Sequence, residues 1–324
     1  MDSLFGLAID NLNSPLILAF ILGLVAALAR SDLIFPEAAA KALSIYLLFA
    51  IGFKGGVSVT EHGADITLAL TLLTGVMLSA LLPFIAFWLL RAITRLDTTN
   101  AAAVAAHYGS ISIVTFVAGT SVLESQGIAA EGYMVAVAAA MEAPAILSAL
   151  WLLSRDGASR MDSTLWREIL LNGSIVLLVG AFVIGLLTGK DGLAEVEALM
   201  VAPFKGALCL FLLDMGLVAG RGLRNSRGLI TGGLLTFGVV MPLAGALLGA
   251  MAAVVIGLST GGTMLLMILA ASASYIAVPA AMRVAVPEAD PGIYLTLSLG
   301  ITFPFNLTFG LPIYLAIAEM MTGA

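Results

Sequence analysis

The residue with the most chemical potential is Glu142, set in MVAVAAAMEAPAILSALWLL with apolar neighbours on both sides. A carboxylate near the centre of a bilayer costs at least about 2.5 kcal/mol and is a functional candidate by default. Pro144, two residues on, removes a helical hydrogen bond and frees carbonyls beside the acid. One acid for charge and several oxygens for ligands suit Na⁺. A structural hydrogen bond or salt bridge would also account for Glu142. The corresponding stretch near the C-terminus, ITFPFNLTFGLP, holds Thr302, Asn306 and Thr308 around Pro304. Thr302 and Asn306 join Glu142 and Ser110 as candidate cation ligands. Asp214, in ALCLFLLDMGLVAG, is a second acid in an apolar run. It could ligate a cation, carry a proton, or hydrogen-bond between helices or subunits. His107 could sense pH or be a satisfied packing residue.

Two hydroxyl pairs suggest an anion site. One run reads NAAAVAAHYGSISIVTFVAGTS, with Gly109, Ser110 and Ser112 at its middle. The other reads GGTMLLMILAASASYIAVPAAMR, with Ser272 and Ser274 at its middle and Pro279 after them. Proline and the residue before it both disfavour continued helix. If these helices break, the N–H groups at the restarting ends face an anion. Small residues of this kind also let helices pack closely, and that reading stays open.

Other chemistry is unsupported. No Cys/His cluster marks a transition-metal site, and neither a phosphate-binding loop ending in Lys nor a His-Glu-x-x-His run occurs. No serine has a paired base at convincing spacing, so no enzyme class is indicated. No cofactor is expected beyond Na⁺ as coupling ion. A net charge of −6 without a basic run argues against nucleic acid as a partner. Cys209 is alone, so an intrachain disulfide is impossible, and it is expected to be buried.

The elements that must position these residues are membrane helices. Of the 324 residues, 61% are apolar and 10% are charged. The mean hydropathy of +1.11 leaves no room for a separate soluble domain. Apolar runs of about 20 residues span a bilayer. Breaks at charges and Gly/Pro clusters give ten: 13–29, 37–53, 66–90, 100–119, 129–153, 169–188, 199–220, 228–257, 262–282 and 291–320. The eighth and tenth are long enough to expect tilt or an irregular segment. MDSLFGLAID lacks a basic leader region, so the first span is expected to stay in the mature protein.

Lys and Arg fix the orientation. With the N-terminus outside, alternate loops collect Arg30, Lys41, Arg91, Arg95, Arg155, Arg160, Arg167, Arg221, Arg224, Arg227 and Arg283. That is eleven of the 14 basic residues, and only Lys54, Lys190 and Lys205 fall outside. Both termini are therefore expected outside.

Five spans per half would enter the membrane in opposite directions. Leu48, Gly52 and Gly56 match Leu212, Gly216 and Gly220 at an offset of 164. Gly109-Ser110-Ile111-Ser112 matches Ala271-Ser272-Ala273-Ser274 at 162, and Pro144 matches Pro304 at 160. Glu142 thereby pairs with Thr302, and Asp214 with Ala50. Inverted repeats are common in secondary transporters. The expected fold is all-α integral membrane: a 5+5 inverted repeat with discontinuous fourth and ninth helices. The first repeat is residues 1–155, the cytoplasmic linker 156–166 and the second repeat 167–324.

The runs SPLILAFILGLVAAL, LIFPEA and YLLFAIGFKGGVSV resemble the opening of the cyanobacterial sodium-dependent bicarbonate transporters. The resemblance continues through GSISIVTFVAGTSVLES, AAMEAPAILSAL, AASASYIAVPAAMRVAVPEADPGIY and ITFPFNLTFGLPIYL, in order and over essentially the whole chain. It implies Na⁺-coupled bicarbonate uptake across a bacterial inner membrane, core and gate domains that move against each other, and a homotrimer. By position it assigns Gly109, Ser110, Ser112, Ser272 and Ser274 to the anion and an acidic role to Glu142. The chain departs at Tyr275, where the family has an acid after the serines. It departs again at Phe303, Phe305 and Asn306 around Pro304, and in the short joining segment SRDGASRMDSTLWRE. These departures bear on the substrate, the Na⁺ stoichiometry and control by a PII-like regulatory protein. The alternatives are a proton-coupled transporter or antiporter titrating Glu142, Asp214 or His107, and a passive channel.

Overall fold

Backbone polar groups in hydrocarbon must be satisfied within the chain, which for a single apolar run means a helix. The protein follows this rule. A computed structural model describes residues 13–62, 66–154, 171, 173–225, 230–275 and 277–323, and among them there is no strand. The expected linker at 156–166, the N-terminal residues 1–12 and Arg155, Arg160, Arg167 and Arg227 lie outside the described residues.

The helices run α1 Pro15–Leu28, α2 Glu37–His62, α3 Ile66–Ile93, α4 Thr98–Gly109, α5 Ile113–Gln126, α6 Met134–Ala140 and α7 Glu142–Ser154. They continue as α8 Gly173–Met200, α9 Phe204–Asn225, α10 Gly232–Ile256, α11 Thr260–Ala271, α12 Ala277–Ala285 and α13 Pro291–Thr322. Among the described residues, eight helical segments are long and apolar enough to cross a membrane, α4 with α5 and α6 with α7 each counting as one. α1 and α11 are shorter apolar helices. The sequence gives ten runs because it counts apolar residues, whereas α11 stops at its serines and α1 has only 14 residues.

One boundary differs from expectation and one matches it. α2 continues past 53 to His62. α8, in contrast, is two helices joined at Gly189, so the expected end at 188 falls at the break, and Lys190, Asp191, Glu195 and Glu197 belong to the second part. Charge ends an apolar run but not a helix. Inside α8, Gly189 has φ +60, a left-handed conformation that favours glycine, and the axis kinks there.

The helices fall into two sets. α1 packs on α9 and α2 on α8, while α3, α4, α7, α10, α11 and α13 pack mainly among themselves. Glycines allow the close approach in the first set. A Cβ on Gly23 would overlap the Leu213 carbonyl of α9, and one on Gly216 would overlap the Phe20 carbonyl of α1. Large apolar side chains such as Leu22, Trp88, Leu187 and Val255 point outward, as a lipid-facing surface requires. The innermost helices are α4, α5 and α11, buried almost throughout. Alanines at 101–103, 105 and 106 leave room for this packing.

Candidate functional site

Both buried helices are interrupted, and by matching devices. α4 begins at an Asp97 cap, whose side chain accepts from Asn100 N–H, and ends after 12 residues at Ser110 with φ −85, ψ 164. α11 begins at a Ser259 cap, whose side chain accepts from Gly262 N–H, and also ends after 12 residues, at Ser272 with φ −87, ψ 162. The extended serine leaves carbonyls behind it and amides ahead of it without helical partners.

Each break supplies what the other lacks. Ser274 N–H donates to the His107 carbonyl of α4 at 2.7 Å. Ser112 N–H donates to Ser272 Oγ at 2.9 Å, and Ser272 Oγ donates back to Leu269 O at 3.1 Å. Asn306 of α13 donates its side-chain N–H to Ala271 O at 3.0 Å. Ser112 Oγ then caps α5, accepting from Thr115 N–H and Thr115 Oγ1. Irregular backbone enclosed in protein becomes tolerable once it is satisfied in this way.

Pro279 does not mark the second break, contrary to the sequence reading. The interruption falls at Ser272–Tyr275, and Pro279 sits in the first turn of α12. A proline there loses no intrahelical bond. It marks the restart.

The tenth span carries the expected irregularity in a form the sequence does not foretell. Thr296–Thr302 and Asn306–Gly310 are π-helical, on either side of Phe303–Phe305. Pro304 and Pro312 each lack the N–H that would bond four residues back, which favours wider turns. Thr302 and Asn306 face inward from this widened region, both buried. Thr302 Oγ1 donates to Gly238 O and shares a 2.7 Å hydrogen bond with the Tyr108 hydroxyl. Asn306 Oδ1 accepts from the Tyr314 hydroxyl at 2.7 Å. Each oxygen keeps one lone pair.

Glu142 opens α7 after a turn at Met141 and is 5% exposed. Its Oε2 is buried without a hydrogen-bond partner, and so are Ser110 Oγ and His107 Nε2. Pro144 disturbs the ladder here, and Ser79 of α3 repairs it. Ser79 Oγ donates to Met141 O at 2.5 Å and accepts from Ala145 N–H at 3.2 Å. His107 Nδ1 is 2.6 Å from Ala103 O, so it carries the proton and leaves Nε2 as the open acceptor in the neutral ring. The ring stacks on Tyr294 at 4.5 Å.

Of the residues singled out in the sequence, His107, Ser112, Ser272, Ser274 and Asn306 are joined by direct hydrogen bonds to one another or to the four-residue segment Ala271–Ser274. Gly109 and Ser110 lie in the same break, with Gly109 packed against the Pro83 ring. Glu142 approaches through the packing of α7 on α4. Asp214 does not join them: it is buried on α9, in the other set of helices, within the field of the Arg221 guanidinium. Cys209 is half-buried, not buried, because it lines a crevice of about 350 Å³ with Lys205 and Ser121. Ser79, Tyr108 and Tyr314 are the positioning residues that sequence reasoning missed. No pattern in the apolar runs marks them.

A many-helix membrane protein with two broken, mutually satisfied helices at its centre has the makings of a secondary transporter. The chain belongs to the Na⁺-dependent bicarbonate transporter superfamily, whose family model matches residues 15–319. No curated protein matches it.

Proposed function

We propose that the protein is a secondary active transporter that carries bicarbonate or a similar small anion into the cell by symport with Na⁺. The observation that carries this reading is the exchange of hydrogen bonds between the two breaks, at Ser274–His107 and Ser112–Ser272, in a chain of this family. Gly109, Ser110, Ser112, Ser272 and Ser274 contact the anion. First-turn amides of α5 and hydroxyl donors offer it hydrogen bonds without a neutralising cation. Glu142 and Ser110 provide the cation with unpaired oxygens, while Thr302 and Asn306 each have one oxygen lone pair left for it. Asp214 and His107 are secondary coupling residues.

The matching caps, lengths and end angles of α4 and α11 support a ten-helix 5+5 inverted repeat. In that arrangement α1, α2, α8 and α9 form the gate and the remaining helices the core. The basic residues favour a plasma-membrane orientation with both termini outside. The family resemblance carries two further expectations, a homotrimer and control by a PII-like protein, and transport requires neither.

Proteoliposomes with an inward Na⁺ gradient should accumulate labelled bicarbonate or a competing small anion, and replacing Na⁺ by choline should abolish uptake. Uptake that persists without Na⁺ and follows a pH gradient would move coupling to protons at Glu142. Flux in discrete single-channel steps would make the protein a channel.

A further inference from the structure

A crevice of about 820 Å³ lies between the two sets of helices. Lys41 and Arg221 contribute its cationic lining, and Phe211, Met215 and Leu299 its apolar walls. Tyr275, in the second helix break, also lines it. The Tyr275 ring is held edge-on to Phe303 at 5.3 Å, and Phe303 is held edge-on to Phe20 at 5.4 Å. The Tyr275 hydroxyl is different. It is shut off from solvent, closes no hydrogen bond of regular geometry, and has the Ser112 side chain beside it as a weak hydrogen-bonding neighbour. A buried hydroxyl without a regular partner costs free energy comparable to a lost hydrogen bond. It lies one residue past Ser274, which is itself tied to His107.

We propose that Tyr275 is a specificity residue that separates two compartments: its hydroxyl donates to the anion at the crossed helix breaks, and its ring closes the floor of the basic crevice through which the anion leaves. The proposal deepens the transport reading and rests on it. A phenol donates one hydrogen bond and brings no charge, so an oxyanion gains a donor here. A carboxylate at this position would repel it or demand an extra cation. The Lys41 ammonium and Arg221 guanidinium on the far side attract an anion into the crevice, an effect that salt screens.

Na⁺-driven uptake by the full chain in proteoliposomes tests this with the conservative variant Tyr275→Phe. Tyr275→Phe keeps the ring and its packing on Phe303, and a monodisperse elution profile confirms folding. The Michaelis constant for the anion should rise about tenfold, as for a lost hydrogen bond to a charge. The Na⁺ half-saturation should change less than twofold. Lys41→Gln should lower uptake at low ionic strength and lose most of its effect at high choline chloride. An unaltered anion Michaelis constant in Tyr275→Phe, beside a wild type that transports, overturns the role of Tyr275 alone. An equal rise for anion and Na⁺ assigns the tyrosine to packing and overturns it too. A wild type that shows no Na⁺-driven uptake of any small anion overturns the transport reading, and the inference falls with it.

Discussion

Glu142 and its surroundings set the terms at the scale of single residues. A buried carboxylate with an unpaired oxygen is expensive alone and useful with a cation. Glu142→Gln removes the charge and keeps the shape. Without Na⁺, the variant should therefore unfold at the same temperature as wild type or higher. Wild-type protein at ten times its Na⁺ dissociation constant should gain about 1.4 kcal/mol from binding, and the variant should lose most of that gain. The Na⁺ half-saturation for uptake should rise at least about tenfold. Thermal unfolding in detergent, with Na⁺ titrated against choline, reads the first effect directly. A variant stabilised by Na⁺ as much as wild type would remove Glu142 from the cation site. The acid itself was legible in the sequence, because a lone carboxylate in an apolar run has few reasons to exist. Ser79 was not legible. Its partners lie 62 and 66 residues away, and only the fold brings them to it.

At the scale of elements, apolar run length and proline position were read with unequal success. Run length found the helices but ended α2 too early, since a helix can carry its charged turns out of the apolar layer; it ended the first part of α8 at the residue before the Gly189 break. Proline was read as a breaker at Pro279, where it starts a helix, and the tenth span was expected to be irregular from its length, though nothing in the residues specified π turns. Glycine was read as a repeat trace and, at Gly109, as part of the anion site or of close packing, yet its spacing elsewhere also controls how helices meet. α8 offers a clean comparison. A Cβ on Gly185 would overlap the Phe53 carbonyl of α2, whereas one on Gly180 would meet nothing within 4 Å. Gly185→Ala should cost about 1–3 kcal/mol by forcing the helices apart. Gly180→Ala should be neutral or gain up to about 1 kcal/mol from helix propensity. Thermal midpoints of the two purified variants should differ by several degrees. Equal midpoints would mean that α2 and α8 do not owe their approach to Gly185.

At the scale of the molecule, the two sets of helices meet along crevices, and a single carboxylate ties them where Lys54 and Lys205 stand. Glu124 of α5 accepts from Lys54 of α2 at 3.2 Å and lies 3.8 Å from Lys205 of α9. Lys54 also sits over the Phe204 ring at 5.5 Å. These three charged side chains are one-third or more exposed, so the ties are worth about 0–1 kcal/mol and are screened by salt. That is too little to hold a fold, but enough to move an equilibrium between two arrangements up to about fivefold. Glu124→Gln should leave the thermal midpoint within about 2 °C of wild type. Cys209, half-buried in the neighbouring crevice with Lys205, is the chain's one cysteine and a built-in reporter. In the variant a membrane-impermeant maleimide should label it up to about fivefold faster at low ionic strength, and the difference should vanish in about 1 M potassium chloride, where the Debye length is about 3 Å. Equal labelling rates at low salt would show that the two sets are held together by their apolar contacts alone. The ion pairs would then be surface ornament on a junction fixed by α9 and α13.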